Sequence, residues 1–163
     1  MKKFFAFALF FIVFLNSCSV TQNGEDLSGF TQRINKLNEQ YNLTSQGFIY
    51  SDENDSIFKF FIVNENEILL SFKEDDKGRL IEMNFVANSN FYEDLSSFDF
   101  FRNSLNAFIN NEKTYKEIID NNNLVEALKT PTKETITIKS GNIEVLLDVT
   151  TLGTVITVHF TDK

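Results

Sequence analysis

From residue 47 onward the apolar residues of this chain change their spacing twice, and the order of those changes restricts what it can fold into. From residue 47 to 86 they recur mainly at every second position, from 98 to 128 at every third or fourth, and from 134 onward at every second again. A period of two is the mark of a strand and a period near 3.6 that of a helix. Strands gathered into blocks, with helices between the blocks, predict an α+β fold on an antiparallel sheet. A doubly wound parallel fold would alternate the two element types one by one.

Local signals divide the blocks into elements. Leu27, Phe30, Ile34, Leu37 and Tyr41 form one stripe of an amphipathic helix, with Asp26 or Ser28 available to cap its start. Four strand-like runs follow at residues 47–50, 57–63, 67–73 and 79–86, separated by short polar turns that favour antiparallel hairpins. Phe98, Phe101, Leu105 and Phe108 then make a helical stripe. Tyr115, Ile118, Ile119, Leu124 and Leu128 continue it past breaks at Asn110-Asn111 and residues 121–123, and Pro131 ends it. Three more strands are expected at residues 134–139, 142–149 and 154–161, the first two joined by a turn at Ser140-Gly141. The predicted order is one helix, four strands, two or three helices and three strands, giving a sheet of about six or seven strands. The rhythm of helix and meander, helices and meander, also fits two halves joined in one saddle-like sheet.

Strand faces are harder to assign. Alternation places Phe58, Phe60 and Ile62 on one face, as it does Ile68, Leu70 and Phe72, then Ile81, Met83 and Phe85. The other face also carries Ile57, Phe61, Val63, Leu69, Leu80, Val86, Leu146 and Val155. A sheet with one solvated side would alternate more cleanly. The expectation is that helices cover both faces, or that strong twist buries corners on each side. An apolar face left open for a ligand or partner is the alternative.

The first eighteen residues carry a different message. Lys2 and Lys3 precede an uncharged apolar run from Phe4 to Leu15, and small residues follow, which is the layout of a secretory signal. That run is too short for a membrane-spanning helix, which needs about 20 apolar residues. Leu15-Asn16-Ser17-Cys18 resembles the lipobox of bacterial lipoproteins, with Asn16 standing where Ala, Ser or Thr is commoner. The resemblance covers residues 1 to 19 only. It implies removal of residues 1–17 and a diacylglycerol thioether on Cys18, usually with a further acyl chain on its amine. It also implies a protein exported and held on a membrane by lipid. Ser19, rather than aspartate, after the cysteine leans toward an outer-membrane or cell-surface address. Cys18 is the only cysteine, so no internal disulfide competes for it. Residues 18–26 then form the lipidated cysteine and a short polar tether, and residues 27–163 one α+β domain.

Charge narrows the partners. Loss of Lys2 and Lys3 with the signal leaves 13 basic against 23 acidic side chains, a formal net charge of −10. This argues against nucleic acid, whose binding runs on clustered lysine and arginine. It also disfavours adhesion to anionic lipid, so the anchor on Cys18 must supply the membrane affinity.

Chemical motifs are sparse. His159, the only histidine, is expected on the polar face of the last strand, with neither a second histidine nor a spare thiol to build a metal or nucleophilic site. Asp52-x-Asn54-x-Ser56 opens like a calcium loop but lacks the glycine at its sixth position, and Val63 stands where a bidentate glutamate belongs. Asp75-Asp76-Lys77-Gly78 reads as a solvated turn. Glu93, Asp94 and Asp99 read as the acidic start of a helix. No metal or cofactor is therefore expected. Phe91, Tyr92 and Phe100 lie in the densest aromatic segment but off the helical stripe, which makes them the candidate binding patch. The sequence points to a non-enzymatic, lipid-anchored binding or assembly module of the bacterial envelope, with a possible envelope protein as partner. A carrier of a small apolar ligand and an enzyme with a dispersed site are the alternatives.

Overall fold

The computed structural model describes residues 24–39, 47–51, 56–130 and 134–161. Its elements are α1 (Leu27–Leu37), β1 (Ile49–Ser51), β2 (Ser56–Val63), β3 (Asn66–Glu74), β4 (Leu80–Ala87), a 3₁₀ turn (Phe91–Glu93), α2 (Leu95–Ile109), α3 (Glu112–Ile119), α4 (Asn122–Lys129), β5 (Ile136–Ser140), β6 (Ile143–Val149) and β7 (Thr154–Phe160). The fold is α+β, as the spacing of apolar residues predicts. Tyr41, Asp52, Asn54, Pro131 and Cys18 lie outside the described residues.

Asparagine and aspartate set the helix boundaries. Asp26 accepts a hydrogen bond from the Gly29 amide at 2.7 Å to start α1, and Asp94 accepts from the Ser97 amide at 2.8 Å to start α2. Asn110 closes α2 in the left-handed conformation with φ 50°, and Asn111 opens α3 by accepting from the Thr114 amide at 2.9 Å. Short polar side chains do both jobs, because they satisfy orphan amides and tolerate positive φ. The break expected at Asn110-Asn111 is thus two caps back to back.

The seven strands form one antiparallel sheet in the order β1-β2-β3-β4-β7-β6-β5. Each block of strands is a meander, and the last strands of the two meanders, β4 and β7, pair at the centre. Phe85 lies opposite Ile156 and Met83 opposite Val158 in that central pair.

The core sits between this sheet and the helices. α2 packs against α1, α3, β2 and β4. Because it has neighbours on several sides, it buries a wide arc: Ser97, Phe100, Phe101, Ser104, Leu105, Ala107, Phe108 and Ile109. Phe101 meets Phe85 with ring centroids 5.1 Å apart, and Phe100 meets Phe61 at 5.0 Å. Phe30 of α1 meets Phe72 at 4.7 Å. Phenylalanine fills the interior here, each ring tilted or edge-on to the next as the ring quadrupole prefers.

Two expectations about faces are corrected. In β2 the inward residues are Ile57, Phe61 and Val63, while Phe60 and Ile62 point away from the core and are 66% and 77% exposed. Both sets are apolar, so alternation alone has no means of choosing between them. Pairing chooses, by setting Phe61 opposite Ile68 and Ile57 opposite Phe72. In β4 a register shift after Lys73 breaks the alternation, so that Leu80 and Met83 are both buried and Ile81 is exposed. Of the two expected ways of burying both faces, cover by helices is not found among the described residues. The described helices pack on one side only, and the other side of the sheet carries the exposed residues.

Candidate functional site: the uncovered face of the sheet

Residues directly opposite one another in an antiparallel sheet point to the same side. The pairings therefore sort the uncovered face into three rows running across the strands. The first is Lys73, Glu82, His159, Glu144 and Lys139, contributed in turn by β3, β4, β7, β6 and β5. The second is Phe58, Ser71, Asn84, Thr157, Leu146 and Thr137. The third is Phe60, Leu69, Val86, Val155 and Asp148. Beyond it, Ile62 lies opposite Glu67.

The first row alternates basic and acidic side chains. Lys73 Nζ is 2.9 Å from Glu82 Oε1, His159 Nε2 is 2.9 Å from Glu144 Oε2, and Lys139 Nζ is 2.6 Å from Glu144 Oε1. The hydrogen bond from Lys139 holds the Glu144 carboxyl below its ordinary value, and His159 adds to the effect. The second row is tied to the first. Asn84 Nδ2 donates to Glu82 Oε1 at 3.0 Å, and Thr157 Oγ1 donates to Asn84 Oδ1 at 2.7 Å. His159 lies on the polar side of β7, as expected, and its contact with Glu144 makes it a member of a cross-strand staple. Such solvent-facing pairs are worth about 0–1 kcal/mol each. They tie neighbouring strands together.

The third row is apolar across four adjacent strands. With Phe58 and Ile62 beside it, it forms a continuous surface at the end of the sheet where β2, β4 and β6 finish. Leu152, in the turn joining β6 and β7, is 91% exposed at that end, and Leu95 at the start of α2 is 79% exposed. Its flanking charges, Glu67 and Asp148, are both acidic. The lysines and histidine of this face all belong to the first row, beside Glu82 or Glu144.

The same region includes the outer edge of β2. β2 pairs with β3 along its whole length, but β1 covers it only from Ser56 to Phe58. Among the described residues no strand pairs with the outer edge of β2 from Lys59 to Val63. Lys59 itself turns inward, with its ammonium 5.7 Å from the Phe48 ring centre and 5.4 Å from that of Phe61. An inward-pointing charge on an edge strand is a known guard against indiscriminate edge pairing.

Glu25 lies at the opposite end, where the Leu80 amide donates to its carbonyl at 2.8 Å beside the start of β4. The apolar row crosses β4 at Val86, about 20 Å further along the strand at roughly 3.4 Å per residue.

The patch expected at Phe91, Tyr92 and Phe100 is corrected. Phe91 and Phe100 have no exposed surface, and Tyr92 is half-buried against the core. Phe91 is held in the 3₁₀ turn between Phe85 and Phe101, with ring centroids 5.2 and 5.8 Å away. Phe100 falls off the α2 stripe facing the centre of the sheet, but it faces Phe61 beneath the flank of the same helix. Leu69, Val86 and Val155 were visible in the sequence as apolar residues on a second strand face. The missing information was the register that gathers them with Phe60.

Phe30, Phe72, Phe85, Phe91, Phe100 and Phe101 fill the middle of the space between helices and sheet, all fully buried, and a cavity between α4 and β5 is lined by Asn123, Glu126, Ala127, Thr130 and Ile136. Among the described residues, no cluster of His, Cys, Asp and Glu is arranged to hold a metal ion, and no helix is long and apolar enough to cross a membrane. No family model, curated protein or solved structure matches this chain.

Proposed function

We propose that this chain is a lipid-anchored, non-enzymatic binding module of the bacterial cell envelope. The observation that supports a binding role is the apolar row of Phe60, Leu69, Val86 and Val155 on a sheet face that no described helix covers. Phe60 and Val155 are exposed and Leu69 and Val86 half-buried between them, and apolar surface gathered in this way on a small domain usually marks an interaction site. Support for the anchor comes from the signal-like start and the lipobox-like residues that end at Cys18. Two or more acyl chains hold a protein stably on a bilayer, since each buried methylene contributes about 0.8 kcal/mol. The mature chain is then held on the outer membrane or cell surface, and its function is to bring a second molecule to that surface.

The anchor is tested by labelling growing cells with an acyl-chain analogue. Wild-type protein takes up label and enters the detergent phase on phase separation, and Cys18→Ala does neither. Wild-type protein that remains in the aqueous phase refutes the reading.

A further inference from the structure

We propose that two copies of this chain pair face to face through the uncovered side of the sheet, about a two-fold axis that runs along the strands between β3 and β4. This rests on the reading of the chain as an anchored binding module and names its partner as a second copy.

The rows select that axis. A two-fold parallel to the strands reverses the strand order but keeps each row over the same row of the other copy. Placed between β3 and β4, it sets Phe60 over Val155, Leu69 over Val86, Ser71 over Asn84 and Lys73 over Glu82 of the other copy. All four apolar side chains of the third row then meet apolar side chains, and Lys73 meets a carboxylate. Packed sheets hold their strands within about 30° of one another, so this correspondence is closest beside the axis. Neighbouring placements are poorer. An axis along β3 sets Lys73 against itself, one along β4 sets Glu82 against itself, and one between β4 and β7 lays Asp148 over Leu69. The formal charge of −10 on each copy does not fall on this contact, because the first row sets Lys73 and Lys139 against Glu82 and Glu144.

The anchor selects the same axis independently. Glu25 lies beside the start of β4, and the chain from Cys18 to Gly24 reaches at most about 21 Å. A two-fold along the strands brings the Glu25 ends of both copies to one side, where both lipids can enter one membrane. A two-fold across the strands sends these ends apart and lays the apolar row over the charged one. Four strands at about 4.8 Å and six residues at about 3.4 Å make a contact plane of about 400 Å², small beside the roughly 800 Å² per partner of a standard interface. Pairing is therefore weak between free molecules, and confinement in one membrane supplies the local concentration that it needs.

The test is cross-linking of the full-length protein in the membranes that carry it. Ser71→Cys puts a thiol beside the axis and leaves the apolar row intact. Thr137→Cys puts one on the same face at β5, about 34 Å from its own copy. Sheets pack about 10 Å apart, so a short bismaleimide is expected to join Ser71→Cys copies into a band of twice the mass and to leave Thr137→Cys single. Phe60→Thr with Val155→Thr is expected to lower the Ser71→Cys product about tenfold. Lys73→Glu alone and Glu82→Lys alone should each lower it, and membranes that carry both variants should regain it as a product of one copy of each. An unchanged unfolding midpoint by circular dichroism in dilute solution shows that each variant is folded.

No Ser71→Cys product overturns the proposal, as do equal products from Ser71→Cys and Thr137→Cys, an undiminished product with Phe60→Thr and Val155→Thr, or no recovery on mixing the charge variants. A product that contains a different protein overturns it in favour of that partner. A Ser71→Cys thiol shielded from a water-soluble maleimide until detergent is added, with no product formed, overturns it in favour of the bilayer. Any of these with acyl labelling intact removes the pairing and leaves the anchor standing. Absence of acyl labelling removes the anchor and the pairing that rests on it.

Discussion

Replacing Phe100 by alanine tests the assignment of the aromatic segment most directly. Phe100 has no exposed surface, and its ring packs against Phe61 at 5.0 Å, between α2 and the β2 side of the sheet. Truncation removes roughly 120 Å² of buried apolar area, which at about 25 cal/mol per Å² is about 3 kcal/mol. The cavity left behind adds to this, because Phe61 and its neighbours relax only in part, so the expected loss is about 3–5 kcal/mol. That is a large share of the roughly 5–15 kcal/mol that holds a domain folded. Phe60→Ala is the matched control, since the same chemistry is deleted from a side chain that is 66% exposed. It should cost well under about 1 kcal/mol, as surface substitutions do. The chain has no tryptophan, so far-UV circular dichroism in a urea series is the suitable probe. Phe100→Ala should lower the midpoint strongly at nearly unchanged slope, and Phe60→Ala should leave it in place. Equal effects of the two substitutions would refute the inward assignment of Phe100 and the outward assignment of Phe60 together.

Asp75 gives a pH prediction. A hydrogen bond from Arg79 Nε, reinforced by the Arg79 and Lys77 amides, lowers its carboxyl pKa to about 2. A depressed folded-state value stabilises the fold above the unfolded value near 4, and this contribution is lost as pH falls from about 4 to about 2. Carboxyl NMR should place the Asp75 midpoint near the lower limit, and a midpoint near 4 would contradict the Arg79 contact. Asp94→Ala removes the cap from the Ser97 amide and the 2.6 Å bond from Asn64 Nδ2, and should lower the thermal midpoint by a few degrees. Glu65 holds φ 72° beside Asn64 at φ 47° in the two-residue turn between β2 and β3. Glycine is favoured at such a position, so Glu65→Gly should stabilise by about 0.5–1 kcal/mol in the same urea assay. A loss of stability would mean that Glu65 makes a contact worth more than its strain.

Local physics wrote the element order into the sequence. Asp26, Asp94, Asn111 and Asn121 each cap the helix that follows. The Asn64-Glu65 turn and the turn after Ser140 separate strands of consistent period. Each signal acts within a few residues, and so the α+β class and nearly every element could be read along the chain. The lipobox-like residues ending at Cys18 are equally local. Their consequence for location is a reading of sequence alone. The assignment of faces depended on distant partners. In Ile57-Phe58-Lys59-Phe60-Phe61-Ile62-Val63 both faces are apolar enough to be buried, and only pairing with Ile68, Leu70 and Phe72 turned Phe61 inward and Phe60 outward. Phe100 was decided in the same way, because α2 is buried by neighbours on more than one side and its apolar arc is wider than a single stripe. The apolar row on the uncovered face was the least legible part for the same reason. Phe60, Leu69, Val86 and Val155 come from four strands spread over almost a hundred residues, and they became one row only when β4 and β7 paired at the centre of the sheet.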